Sequence, residues 1–139
     1  MKPLFASLLL FCLCLAAFPA LAQDTPRFAV DTLPPVVIAT VPIAGATAID
    51  PATTEILVSF SREMKPGSWS WVKVNDMTFP DITGKIRYLD DNRTCVLPVK
   101  LEPDKTYIIW VNSKEQANFR DVKDRSAVPY LLYFKTKKP

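Results

Sequence analysis

Few residues of this chain could carry acid–base, nucleophilic or metal chemistry. The 139-residue sequence contains no histidine, which excludes Ser-His-Asp and Cys-His catalysis and any zinc or copper site that relies on imidazole. Two carboxylate pairs remain, Asp90 with Asp91 and Asp121 with Asp124, and such pairs could serve glycoside hydrolysis. All four fall in predicted turns, where Asp is favoured for backbone reasons. We therefore predict turn chemistry there, with a weak calcium site as the alternative.

The composition excludes further function classes. The three glycines are scattered through the sequence, so no phosphate-binding loop and no cofactor site is predicted. The net charge is only +3, and basic residues cluster nowhere except in the C-terminal tail, which gives no electrostatic case for nucleic acid. We therefore predict that the chain is not an enzyme and does not bind nucleic acid.

The N-terminal segment is predicted to be a cleaved secretion signal. Lys2 precedes an apolar stretch that ends at Pro19, and Ala20-Leu21-Ala22 provides the small-residue cleavage pattern. The apolar run is too short to span a bilayer stably, and no second run follows it. We expect cleavage after Ala22, which sends the mature chain to the periplasm or the exterior with no membrane span.

One cysteine remains after that cleavage. Cys12 and Cys14 lie within the predicted signal, so Cys95 stands alone in an oxidising compartment. Because Cys95 shares strand parity with Leu97 and Val99, we predict that it faces inward as a small core hydrophobe. The alternatives are a disulfide between two chains and a reactive thiol.

The remaining chain is predicted to be one all-β domain. Residues 23–33 are polar and aperiodic, a flexible lead-in, and residues 34–139 show short apolar runs with turn residues about every ten positions. The 13 prolines argue against long helices. Pro98 indicates an edge strand or a bulge. Seven strands are predicted, at residues 36–41, 54–60, 69–74, 85–89, 94–99, 107–111 and 129–135.

A tyrosine corner identifies the arrangement of these strands. Leu101, Pro103 and Tyr107 have the corner's spacing, and β-branched and aromatic residues follow. In Greek-key sandwiches such a Tyr opens strand F, and its hydroxyl hydrogen-bonds to the backbone a few residues upstream. The predicted fold is therefore a seven-stranded Ig-like or fibronectin-III-like Greek-key sandwich.

Four motifs in order give the chain a family resemblance. They are Pro35-Val36-Val37-Ile38 continuing through Val41-Pro42 to Ile49-Asp50-Pro51, then Ile56-x-Val58-x-Phe60-Ser61-x-x-Met64, the corner, and Phe134-x-Thr136. Over residues 34–136 the sequence resembles bacterial Ig-like domains of the surface-layer-protein type. The resemblance implies a spacer, a docking module or an appended part of a secreted enzyme. The family often has an Asp-x-x-Gly-Asn turn before its last strand; here Asp121 is followed by Asp124 and Arg125, with no glycine.

Strand parity places six apolar side chains on the outer face of one sheet. If Tyr107 faces inward, alternation turns Ile108 and Trp110 outward. The same reasoning, with Phe134, Val72 and Val74 inward, predicts that the outward set on strands C, F and G is Trp69, Trp71, Ile108, Trp110, Leu131 and Tyr133. The alternative is a covered or mixed face, in which a bulge near Ser70 turns one Trp inward or a neighbouring segment folds over the sheet.

An exposed face of this kind would bind a partner. Aromatic side chains are frequent hot spots of protein docking, and they also stack on sugar rings. We predict a secreted, non-enzymatic module that docks a protein of the cell envelope or a second copy of itself, with polysaccharide binding as the alternative function.

Overall fold

A computed structural model of the protein describes residues 28–139. The predicted signal peptide at 1–22, with Cys12 and Cys14, lies outside the described residues, as does the first part of the predicted lead-in. No helix within residues 28–139 combines the length and apolar character needed to cross a membrane.

Eight strands form two antiparallel sheets packed as a β-sandwich, as predicted for the fold class. They are β1 Val37–Val41, β2 Glu55–Phe60, β3 Trp71–Lys73, β4 Asp81–Ile82, β5 Arg87–Tyr88, β6 Thr94–Lys100, β7 Thr106–Val111 and β8 Tyr130–Lys135. One sheet has the order β1-β2-β6-β4, with β5 also paired to β6, and the other has the order β3-β7-β8. The predicted strands C, F and G therefore do share a sheet. The two-residue strand β4 was not predicted.

The core lies between the sheets because apolar residues alternate along the longer strands. Strand β2 buries Ile56, Val58 and Phe60 while the residues between them are half-exposed. Strand β7 alternates in the same way, with Tyr107 and Ile109 fully packed. Burying a side chain of this size contributes roughly 1.5–3 kcal/mol, so the inward face of each strand fixes its orientation in the sandwich.

The tyrosine corner is present and anchors β7. The hydroxyl oxygen of Tyr107 accepts a hydrogen bond from the backbone N–H of Glu102 at 2.8 Å. The Tyr107 ring packs against Phe134 of β8 with ring centroids 5.4 Å apart. The corner therefore sets the parity of the strand that follows it.

Of the two alternatives predicted for Pro98, an edge strand or a bulge, the edge strand is wrong. Strand β6 is internal, with β2 on one side and β4 and β5 on the other. Pro98 is tolerated because its missing N–H faces the interruption between β5 and β4, where its carbonyl accepts from the Thr83 N–H at 3.0 Å. Gly84 crosses Pro98 so closely that a Cβ there would lie 3.3 Å from the proline Cβ.

The end of the predicted lead-in is anchored to the domain. Residues Val30–Thr32 form a 3-10 turn. Arg62 Nη2 donates a hydrogen bond to the Val30 carbonyl at 2.9 Å, and the Arg125 guanidinium donates to the Asp31 carbonyl. These contacts order residues 30–32 beside the start of β1.

Candidate functional site

The strand register brings five apolar side chains onto the outer face of the three-stranded sheet. Trp110 of β7 lies opposite Leu131 of β8 and Val72 of β3, and Ile108 lies opposite Tyr133. Because the intervening residues of β7 and β8 are buried, these five point away from the core. We call Val72, Ile108, Trp110, Leu131 and Tyr133 the outer sheet face.

The outer sheet face is partly exposed. Tyr133 retains 49% of its surface and Leu131 retains 36%, whereas Ile108 and Trp110 are half-buried. The Tyr133 ring lies beside Gly45, whose φ of +84° is a backbone conformation that glycine adopts readily. Four of the six predicted residues lie on this face: Ile108, Trp110, Leu131 and Tyr133. Leu131 and Tyr133 are the most exposed of the four.

The predicted outward orientation of Trp69 and Trp71 is wrong. Trp71 lies opposite the buried Val111, so it shares the inward parity, and Trp69 and Trp71 both pack against the core. The Trp71 ring meets Phe119 edge-on, with centroids 5.4 Å apart. The sequence predicts Val72 and Val74 on the inward side of this strand. The Trp71 indole packs on the inward side instead, because it has more apolar surface to bury than a valine side chain.

Cys95 is fully buried beside Trp71 in the same part of the core. Burial raises the pKa of the Cys95 thiol to about 12, against a smaller opposing effect of the Trp71 indole. The indole Nε1 itself is buried and makes no well-formed hydrogen bond. A thiol with this pKa is protonated at neutral pH and is a poor nucleophile.

The four candidate carboxylates divide into exposed turn residues and one buried ion. Asp91 accepts hydrogen bonds from the backbone N–H groups of Arg93 and Thr94 at 2.9 and 3.0 Å. Those bonds lower the pKa of Asp91, chiefly the one from Arg93. Asp91 therefore closes a turn, as predicted.

Asp121 is a buried carboxylate whose oxygens are already occupied. It accepts from the backbone N–H groups of Lys123 and Arg125 at 3.0 and 2.9 Å, and from Arg125 Nε at 2.8 Å. Burial by itself would raise the pKa of Asp121, but the hydrogen bonds from Arg125 and Lys123 together with the charge of Arg125 outweigh it and hold that pKa below its usual range. Within residues 28–139 no three His, Cys, Asp or Glu side chains are grouped as metal ligands.

Sequence reasoning missed the buried side chains that organise the long connection between β7 and β8. The Asn112 side chain is fully buried; its Oδ1 accepts from the Phe119 N–H at 2.9 Å, and its Nδ2 donates to the Phe119 and Ala127 carbonyls at 3.1 and 3.0 Å. Phe119 is thereby held in the core, 5.1 Å from Phe60 between ring centroids. The sequence signal for this arrangement was Phe119, the one aromatic residue in the mainly polar stretch 113–129, together with Asn112 at the end of a strand.

The same connection borders one end of the outer sheet face. Trp110, Ser113, Lys114, Glu115 and Pro129 line a cavity of about 340 Å³ there. The Ser113 hydroxyl donates to the Glu115 carboxylate at 3.2 Å. An indole wall beside a hydroxyl, an ammonium and a carboxylate can bind both the apolar and the polar parts of a small ligand.

Comparison with known proteins gives one family match and similarities to solved structures. Residues 31–136 match the family described as "Bacterial Ig-like domain". The crystal structure of the S-layer protein rSbsC(31-844) is 19% identical with a TM-score of 0.48, covering 77% of this chain and 14% of that one. The structure of surface layer protein SbsC, domains 1-6, is 19% identical with a TM-score of 0.49, covering 78% and 14%. This chain thus spans 14% of the length of each. No curated protein sequence matches it significantly.

Proposed function

This chain belongs to the bacterial Ig-like domain family, and from that premise we propose that it is a non-enzymatic module that docks a protein partner in the cell envelope through the outer sheet face. The observation that carries the proposal is the register that gathers Trp110, Leu131 and Tyr133 on one side of the sheet. The predicted signal peptide supports a periplasmic or extracellular location.

The size of the outer sheet face suits a compact hot spot. An aromatic side chain presents ~150–250 Å², so the exposed 49% of Tyr133 corresponds to roughly 100 Å². The whole face then exposes on the order of a few hundred Å², which is comparable to the largest patch on a typical monomer and is often functional. Trp and Tyr are enriched among the residues that dominate binding energy.

The side chains that could react are engaged elsewhere, which supports a role in binding. Asp121 is held by Arg125, Asp91 closes a turn, and the Cys95 thiol is buried. The sequence contains no histidine, so acid–base catalysis would fall to a carboxylate. Neither Asp91 nor Asp121 lines the Trp110 cavity, and the Glu115 carboxylate that does line it accepts a hydrogen bond from the Ser113 hydroxyl.

Site-specific photo-crosslinking in the native envelope tests the proposal. A photoreactive amino acid at Tyr133 should give a discrete adduct with one envelope protein, identified by mass spectrometry, and Trp110→Ala should weaken it at least fivefold. The matched control is the same probe at Ile82, which is exposed on β4 of the other sheet. The absence of any adduct specific to Tyr133 would refute docking through this face.

Polysaccharide binding is the second candidate, favoured by the cavity beside Trp110 with its hydroxyl, ammonium and carboxylate groups. Because Trp69 and Trp71 pack against the core, a glycan on this face should change the fluorescence of Trp110 alone. Titration with envelope polysaccharide fragments should quench the wild type and leave Trp110→Phe unaffected. Equal quenching of both proteins would exclude this site.

A further inference from the structure

A second apolar surface follows the first strand of the domain. Residues 32–49 contain no Asp, Glu, Lys or Arg. Five large aliphatic side chains in this stretch are exposed, with Ile38 at 64% and Ile43 at 75%. We call four of them, Val36, Ile38, Val41 and Ile43, the β1 strip.

The β1 strip lacks the usual protection of a sheet edge. Strand β1 pairs with β2 only, at the end of the five-stranded sheet, and edge strands of monomers are normally guarded by charges. A bulge between Val37 and Ala39 interrupts the ladder at Ile38, and Thr40 is buried. The surface therefore offers aliphatic side chains to a partner, without a free run of backbone groups for an added strand.

We infer that a second copy of this chain covers the β1 strip, in an antiparallel dimer on a surface separate from the outer sheet face. A twofold axis between Ala39 and Thr40 places Ile38 of one copy against Val41 of the other, and Val36 against Ile43. Such an interface is self-complementary, since each residue pair occurs twice. Because residues 32–49 are uncharged, the two copies meet without like-charge repulsion.

The exposed area agrees with a small dimer. A fully exposed aliphatic side chain offers on the order of 100 Å², so the four residues expose roughly 230 Å² per copy at that value. Val30 and Leu33, which line a cavity of about 370 Å³ with Val36, extend the apolar area to roughly 350 Å² per copy. Two copies would bury ~700 Å² of apolar surface. The smallest standard interfaces bury about 1,200 Å² in total, of which somewhat more than half is apolar, so the two areas agree.

Other occupants fit the strip less well. The residues between the predicted cleavage point and Phe28 are Gln-Asp-Thr-Pro-Arg, which provide no aliphatic side chains to cover it. An anionic membrane attracts clustered Lys and Arg, and residues 32–49 contain neither. Self-association needs only the aliphatic side chains that are present.

Sedimentation velocity on the full chain, produced in a secreting host so that any signal is processed, tests the inference. We expect a monomer–dimer transition between roughly 10 µM and 1 mM. It should change by less than about tenfold from roughly 50 to 500 mM NaCl, because residues 32–49 carry no charge and Arg62 is the one charged side chain among the described residues that line the adjoining cavity. Ile38→Lys should remain monomeric at least tenfold higher in concentration. Ile82→Lys is the matched control, since Ile82 is exposed on β4 at the opposite side of the same sheet. Both positions are exposed, so circular dichroism and melting should match the wild type.

A crosslink locates the contact. In a Cys95→Ala background, Ala39→Cys lies near the proposed axis and should form a disulfide-linked dimer under mild oxidation, whereas Thr83→Cys should not. A wild type that stays monomeric at 1 mM overturns the inference, including when it binds phosphatidylcholine vesicles instead. A dimer that survives Ile38→Lys but is lost in Leu131→Lys also overturns it, and would place self-association on the outer sheet face of the proposed function.

Discussion

Replacing Asn112 should be among the most destabilising single changes in this protein. The side chain is fully buried and makes three hydrogen bonds to the backbone of Phe119 and Ala127. Asn112→Ala leaves the Phe119 N–H and the Ala127 carbonyl without partners, whereas the Phe119 carbonyl keeps its bond from the Ala127 N–H at 2.8 Å. An unsatisfied buried group costs about 1–3 kcal/mol. The φ of Asn112 is +60°, a conformation that Ala disfavours by about a further 1 kcal/mol. We expect a total loss of about 3–5 kcal/mol, allowing for relaxation around the site.

Urea denaturation followed by far-ultraviolet circular dichroism measures this loss. Asn112→Gly separates the two causes, because glycine accepts the positive φ but makes no side-chain bond, so it should recover about 1 kcal/mol relative to Ala. Asn118→Ala is the matched control, since Asn118 is exposed and its bond to Ser70 Oγ comes from its backbone N–H. A loss under 1 kcal/mol for Asn112→Ala, or one no larger than for Asn118→Ala, would refute the assignment.

Three further predictions concern the corner, the buried thiol and the turn before β8. Tyr107→Phe removes the oxygen that accepts from Glu102 and should cost about 0.5–1.5 kcal/mol in urea denaturation; no loss would mean that the corner bond contributes nothing. The unfolded chain deprotonates Cys95 near pH 9.0 and the folded chain near 12. The contribution of the protonated thiol to the free energy of unfolding is therefore complete below pH 9 and is lost toward pH 12, by about 1.4 kcal/mol per pH unit. In Cys95→Ala the free energy of unfolding should fall less steeply over this pH range, and equal slopes for the variant and the wild type would contradict the prediction. Asp124 has a φ of +64°, so Asp124→Val should melt lower than Asp124→Gly by the equivalent of about 1–3 kcal/mol, and equal melting points would contradict the backbone argument.

The sequence predicts orientation well where one residue type fits only one side of a strand. Because the Tyr107 hydroxyl must reach the Glu102 N–H, the corner determines which residues of β7 face inward. The pairing of β7 with β8 then places Leu131 and Tyr133 on the outward side, beside Trp110 and Ile108. Strand β3 offers no such residue. Its sequence over 69–74, Trp-Ser-Trp-Val-Lys-Val, has apolar residues at both parities, and only the packing of the indoles against the core decides between them.

Other features were not predicted because they depend mainly on contacts distant in sequence. Asn112 is buried only because Phe119 and Ala127 return to it, and a polar residue after a strand reads as an exposed loop. The position of Pro98 inside β6 depends on the gap between β5 and β4. Strands β4 and β5 have two residues each, too few to show the alternation of apolar and polar residues. No local pattern therefore reveals that two short strands, rather than one continuous strand, pair with this side of β6.

The turn before β8 adopts a left-handed backbone conformation at a residue that is not glycine. The family pattern has glycine where this chain has Asp124, and Asp124 adopts the left-handed conformation with a φ of +64°. Asp is one of the few non-glycine residues that do so at modest cost. The stabilisation comes from Asp121, whose buried carboxylate receives two backbone N–H groups of the turn and the Arg125 guanidinium. Arg125 stands where the family has Asn and extends from this carboxylate to the Asp31 carbonyl. The buried Asp121 carboxylate therefore stabilises the turn in the absence of glycine. Its ion-pair partner Arg125 also binds the N-terminal segment that leads into the β1 strip.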